Sequence, residues 1–149
     1  MQAVPFIIER VFDTPAHVLW KAITDKNEMK EWFFDVKEFK AEPGYRFSFS
    51  GGKDGRVYQH LCEVVEVIPY KKLSYTWKYE GYEGISKVIF ELSEEDGKTR
   101  LKLTHEGLET FPAATNPDLA KENFIGGWTA IIGTSLPEYI VKTGAATRL

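Results

Sequence analysis

Three histidines, a single cysteine and scattered carboxylates are the residues through which this chain could do acid–base, nucleophilic or metal chemistry. His60 and Cys62 stand two apart, and His105 falls among alternating apolar residues further on, all of them types from which zinc sites are built. No CxxC, HxxxH or carboxylate-rich loop completes a ligand set, so no metal and no other cofactor is expected. No GxSxG elbow is present, and no neighbouring motif would lower the pKa of Cys62, which reads as a small buried thiol. Gly51-Gly52 and Gly126-Gly127 match neither dinucleotide nor P-loop spacing. General acid and base work would fall to His60, His105, Glu66 or Glu106, and would require them to converge on a cavity.

Aromatic residues give the stronger lead. The chain carries 10 Phe, 7 Tyr and 4 Trp, which must go into a core, a pocket or an interface. Ligand cavities join apolar and aromatic walls to a few polar handles. On that basis Trp32, Tyr58, His60, Tyr75, Trp77, Phe90, Leu103, His105, Phe124 and Trp128 form the candidate ligand-binding set. A domain of this size must bury rings in any case, so part of the set is ordinary packing. Tyr75, Trp77 and His105 are favoured as pocket residues, because each puts a polar atom on a hydrocarbon face. When buried, such an atom needs a partner, which a ligand or trapped water can supply.

Charge narrows the range of partners. Lys and Arg total 19 against 22 Asp and Glu, a net charge of -3, whereas nucleic-acid binders show a basic patch or stripe. One cysteine cannot form an internal disulfide, and the opening MQAVPFIIERVF lacks the pattern of a secretory leader, so a cytoplasmic protein is expected. The longest uncharged run, Phe124 to Pro137, falls short of the ~20 apolar residues that span a bilayer.

The elements that must position these side chains are legible from periodicity. At 149 residues a single domain is expected. Val4 to Phe12 reads as a strand, and Asp13-Thr14-Pro15 as the start of a helix whose apolar face is Ala16, Leu19, Trp20 and Ile23. Asp25 and Glu28 have capping-box spacing ahead of a second short helix bearing Met29, Trp32 and Phe33. From Val36 to Glu106 the period becomes two. Turn signals at Pro43-Gly44, Gly51 to Gly55, Pro69 to Lys72, Gly81 to Gly84 and Asp96-Gly97 divide this region into about six strands of an antiparallel meander. Leu73, Tyr75, Trp77 and Tyr79 share one face, as do Val88, Phe90 and Leu92, and Leu101, Leu103 and His105. Val64 and Val65 break the alternation, predicting a bulge or burial on both faces.

Gly107 to Pro117 reads as a covering loop, and Asp118 to about Thr143 as a long helix. Phe124, Trp128, Ile131, Ser135 and Tyr139 form its apolar stripe; Gly126, Ala130, Gly133 and Pro137 form a bare opposite side. Pro137 should kink the helix or end its regular part. The bare side is expected either to meet a second copy in a homodimer or to lie under the 107–117 loop.

The stretches FDTPAHVLWKAITD with MKEWF, EVVEVIPYKKLSYTW, GKTRLKLTHEGLE and GGWTAIIGTSLPEYI, in this order from about Phe6 to Tyr139, resemble the short single-domain branch of the heat-shock-protein-ninety ATPase activator homologues. That family lies within the START and polyketide-cyclase-like (SRPBCC) superfamily. The resemblance implies an α+β helix-grip fold: about seven strands in a curved antiparallel sheet around the C-terminal helix, strand one at an edge, with a cavity between sheet and helix. By itself it implies only that something is bound in the cavity; taken with the aromatic set, a small apolar or aromatic molecule is the expected partner. A cyclase- or hydrolase-type enzyme and a chaperone-regulating interaction module are the alternatives. The separate N-terminal domain through which the eukaryotic co-chaperones make much of their chaperone contact is not expected in a chain of this length.

Overall fold

The computed structural model describes residues 4–53 and 56–142. The expected turn Gly51 to Gly55 therefore lies partly, and the expected helix end at Thr143 wholly, outside the described residues. Strand β1 (Phe6–Phe12) leads into helices α1 (Ala16–Thr24) and α2 (Lys26–Trp32). Strands β2 (Arg46–Lys53), β3 (Arg56–Ile68), β4 (Lys72–Tyr79), β5 (Ser86–Glu95) and β6 (Lys98–Glu106) follow, then helices α3 (Lys121–Ala130) and α4 (Leu136–Lys142). All the strands form one antiparallel sheet in the order β1-β6-β5-β4-β3-β2, a meander with β1 added at the far edge. No helix is long and apolar enough to cross a membrane among the described residues.

The sheet has 6 strands rather than the seven expected. Segment 36–42, the stretch ahead of the first turn signal and the source of the extra strand, forms no ladder. Val36 and Phe39 are both buried and stand at helical rather than alternating spacing. The chain joins the sheet only where Gly44 N–H donates to Val64 O (2.7 Å) and Val64 N–H to Tyr45 O (2.9 Å). The bulge expected at Val64-Val65 is present: pairing of β3 with β4 shifts register between Val64 and Glu66. Val64 is buried while Val65 faces out.

Helix caps differ from their sequence signals. Neither Asp13 nor Thr14 starts α1; Pro15 occupies the cap position, and the Ala16 N–H donates instead to Glu94 Oε1 on β5 (2.7 Å). Asp25 does cap α2, accepting from Asn27 N–H, but Glu28 turns away to Tyr139, whose hydroxyl donates to it at 2.9 Å. Glu94 and Glu28 thus tie helices α1 and α2 to distant elements, and only Asp25 acts locally.

The C-terminal helix departs from regularity where Pro137 requires it. Asp118 belongs to a separate single turn (Pro117–Leu119), and the helix proper begins at Lys121. Between α3 and α4 lies a wide π turn, Ile131–Ser135, closed by Leu136 N–H donating five residues back to Ile131 O. Proline has no N–H and its ring crowds the preceding turn, and a π turn relieves both defects at one place. Widening the turn sets the apolar stripe on by one residue. Phe124 and Trp128 are buried as expected, but Ile132, Leu136 and Ile140 take the inward positions forecast for Ile131, Ser135 and Tyr139.

One buried polar chain pins this helix to the sheet. Trp128 Nε1–H donates to His105 Nδ1 at 2.9 Å. An indole nitrogen can only donate, so Nδ1 accepts and the imidazole proton sits on Nε2, facing Ser86 Oγ at 2.7 Å. The serine hydroxyl then donates to Trp77 O on β4 (3.2 Å). Trp128 also lies parallel to Phe33, with ring centres 6.0 Å apart. Replacing Trp128 by alanine removes a buried ring and strands His105 Nδ1. We expect a loss of about 3 to 5 kcal/mol, read from the urea midpoint; an unchanged midpoint would show that the ring does not anchor the helix.

Candidate functional site

A cavity of about 380 Å³ opens between the inner face of β2, β3 and β4 and one side of α3. Strand alternation places Tyr58 and His60 of β3 and Trp77 and Tyr79 of β4 on this face, where His60 and Tyr79 are direct partners in the register. Regular helical spacing brings Phe124, Trp128 and Ile131 over them. Phe34, just after α2, closes one side. Its ring stacks on Phe49 (4.6 Å between centres) and lies over Gly51, where an added Cβ would come within 2.7 Å of Phe34 Cε1. Behind the cavity wall, Phe111 of the 107–117 loop stacks on Phe124 at 5.6 Å.

The polar groups of the wall hold one another in place. Tyr58 O–H donates to Asp118 Oδ2 (2.7 Å), and Asn116 Nδ2 donates to the same phenol oxygen (3.1 Å). His60 Nδ1 donates to its strand neighbour's carbonyl, Tyr58 O, at 3.1 Å. Trp77 Nε1–H donates to Tyr79 OH at 2.9 Å. Burial holds His60 at a pKa of about 4, against partial opposition from the carbonyls of Tyr58 and Phe49. Burial also raises the Tyr79 hydroxyl above its ordinary range, so it stays protonated. Asp118 and Glu122 are the charged members of the lining among the described residues.

Five of the ten expected site residues, Tyr58, His60, Trp77, Phe124 and Trp128, meet at this cavity. His105 borders a second, smaller space of about 190 Å³ behind Phe111. The other four stand in the packed core, away from the walls of either space. Trp32 donates to Ala22 O (2.9 Å) and joins α2 to α1; Tyr75 packs edge-on against Phe47 (5.1 Å); Phe90 and Leu103 are fully enclosed. Of the three residues favoured for a polar atom on an apolar face, Trp77 lines the cavity, His105 borders the smaller space and Tyr75 lies in the core, and the protein itself supplies partners for His105 and Trp77. Phe34, Gly51, Tyr79, Asp118 and Ile131 were missed. Tyr79 was visible in the alternation of β4, and Ile131 in the helical stripe it shares with Phe124 and Trp128.

His60 and Cys62 lie on β3 and His105 on β6, separated in the sheet by β4 and β5. Among the described residues no three His, Cys, Asp or Glu side chains come together to hold a metal ion. The Cys62 thiol is buried and pushed well above its usual pKa by that burial, which leaves little thiolate for chemistry. The 107–117 loop does not cover the bare helix side: a Cβ added at Gly126, Gly127 or Gly133 would meet nothing within 4 Å.

Over residues 13–140 the chain matches the family model of activator of Hsp90 ATPase homolog 1-like proteins. Among solved structures it is similar to protein MLL2253 from Mesorhizobium loti, with 27% identity, TM-score 0.74, and 94% of this chain and 98% of that one covered. It shares its fold with CV1439 from Chromobacterium violaceum at 20% identity, TM-score 0.75, covering 90% and 94% of the two chains. CalU16 from Micromonospora echinospora aligns at 23% identity, TM-score 0.68, over 97% of this chain and 82% of its own. A comparison with curated proteins finds no match.

The two buried histidines set an acid limit on the fold. Burial holds His105 at about 3 and His60 at about 4, both below the ordinary 6.5. As pH falls below 6.5 the unfolded chain therefore takes up protons that the folded chain refuses, and stability declines. We expect a plateau above this point and a falling urea midpoint down to about pH 4, at up to roughly 1.4 kcal/mol per pH unit for each histidine. His105→Gln should reduce the slope. A parent profile flat through the window would mean that both rings are already accessible to protons.

Proposed function

Because the chain belongs to the family of activator of Hsp90 ATPase homolog 1-like proteins, we propose that it uses the cavity of that fold as a cytoplasmic binding protein for a small apolar or aromatic molecule. The observation that carries this reading is the cavity itself. At about 380 Å³ it lies within the ~300 to 1,000 Å³ typical of small-molecule sites, and its walls combine Phe34, Trp77, Phe124 and Trp128 with phenol and imidazole groups. Aromatic faces left against open space gain their contacts from a ligand's own rings.

The alternative of histidine acid–base catalysis draws less support from this geometry. Both ring nitrogens of His105 are engaged by Trp128 and Ser86, and His60 is held neutral by burial across the ordinary working range. A chaperone-regulating role would rest on an exposed surface rather than on this cavity, and would appear as acceleration of a chaperone ATPase. Self-association through the bare side of α3 is a separate proposal, which sedimentation at high concentration tests.

Two measurements test the binding reading. Native mass spectrometry of protein from its own host should show a retained small molecule, and an apolar fluorescent probe should bind the folded chain without unfolding it. Ile131→Trp places a larger ring at the cavity wall. We expect it to weaken probe binding at least tenfold while leaving the urea midpoint near that of the parent. Probe binding unchanged in this variant would put the probe elsewhere.

A further inference from the structure

We propose that Tyr79 is the polar anchor of the cavity, donating its hydroxyl proton to a carbonyl or similar acceptor on an uncharged, planar ligand. The inference rests on the binding reading above and names the class of molecule bound. Tyr79 lines the cavity and is only 5% exposed. A phenol offers one donor and two acceptor positions. The indole of Trp77 donates to its oxygen at 2.9 Å and fills one acceptor position, and among the described residues no group accepts the proton. A buried hydroxyl proton without an acceptor is costly, and a ligand oxygen would relieve that cost.

The other donors of the wall are committed. Tyr58 gives its proton to Asp118, His60 Nδ1 gives its proton to Tyr58 O, Trp128 gives its proton to His105, and the Asn123 amide donates to Pro117 O at 2.7 Å. Tyr79 is thus the donor whose direction remains open, and Trp77, itself able only to donate, keeps the oxygen in place. The charged lining groups among the described residues, Asp118 and Glu122, oppose a carboxylate ligand, while the aromatic walls favour flat rings.

The test pairs a naphthyl methyl ketone with its hydrocarbon isostere, in which methylene replaces the carbonyl oxygen. The parent should bind both, the ketone more tightly, and Tyr79→Phe should weaken the ketone roughly two- to tenfold while sparing the hydrocarbon. In the parent complex the ketone carbonyl stretch should move to lower wavenumber than in the Tyr79→Phe complex. This readout would not change if Tyr79 merely packed against Trp77. Equal weakening of both probes, or an unshifted carbonyl stretch in the parent, overturns the role of Tyr79 and leaves the cavity as a binding site. Failure of the parent to bind either probe overturns the binding reading itself.

Discussion

The bond from Trp128 to His105 is the constraint on which the rest of the arrangement depends. It joins α3 to β6, and it does so between groups almost wholly withdrawn from water. Because the indole is a donor only, it dictates the imidazole tautomer, which in turn directs Ser86 and reaches the backbone of β4 at Trp77. A helix held by hydrocarbon contact alone can slide or roll by small amounts at little cost; one held by a satisfied polar chain cannot, since any displacement exposes an unpaired buried group. Trp128 fixes α3 at one point, and the space beside that point stays open, walled by the neighbouring rings.

Close approach at two glycines sets the extent of that space. At Gly51 a methyl group would collide with the ring of Phe34, so absence of a side chain lets Phe34 lie against β2 and close the wall. At Gly84 the backbone has φ +104, and an added Cβ would come within 2.5 Å of Thr110 O. The Thr110 hydroxyl accepts from Ile85 N–H at 2.9 Å and gives its single proton to Gly107 O at 2.8 Å, with Ile85 O also within 2.9 Å. These contacts fasten the loop that carries Phe111 over the end of α3. The cover is therefore built against the β4–β5 connection, with its own hydrogen bonds, and does not rest on the cavity contents.

Period and turn chemistry made most of the sheet legible from sequence, because each face of β4, β5 and β6 repeats faithfully at two. Even the bulge near Val65 could be read from two adjacent valines. What failed were judgements about direction. Tyr75 and Trp77 share a face, yet one lies in solid core and the other on a cavity wall, since the difference between them comes from what the C-terminal helix presents opposite each. Local capping rules failed at α1 for a related reason: Glu94, distant in sequence, supplies the acceptor that Asp13 or Thr14 was expected to provide. The resemblance to a known family fixed the architecture correctly but overcounted strands by one, because segment 36–42, set apart by the turn signal at Pro43-Gly44, stays unpaired.

The wide turn before Pro137 changes how this cavity can vary between relatives. A π turn is equivalent to one residue inserted into an α-helix, and everything beyond it is rotated by the share of a turn which that residue adds. Ile131 lines the cavity at the end of regular winding, and beyond it Ile132, Leu136 and Ile140 are the buried positions. Loss of one codon here, with proline replaced, would restore regular winding and present a different set of side chains to the sheet from Ile132 onward. Length in this segment, and not only residue identity, is thus a variable through which the shape of the binding space can be inherited or altered.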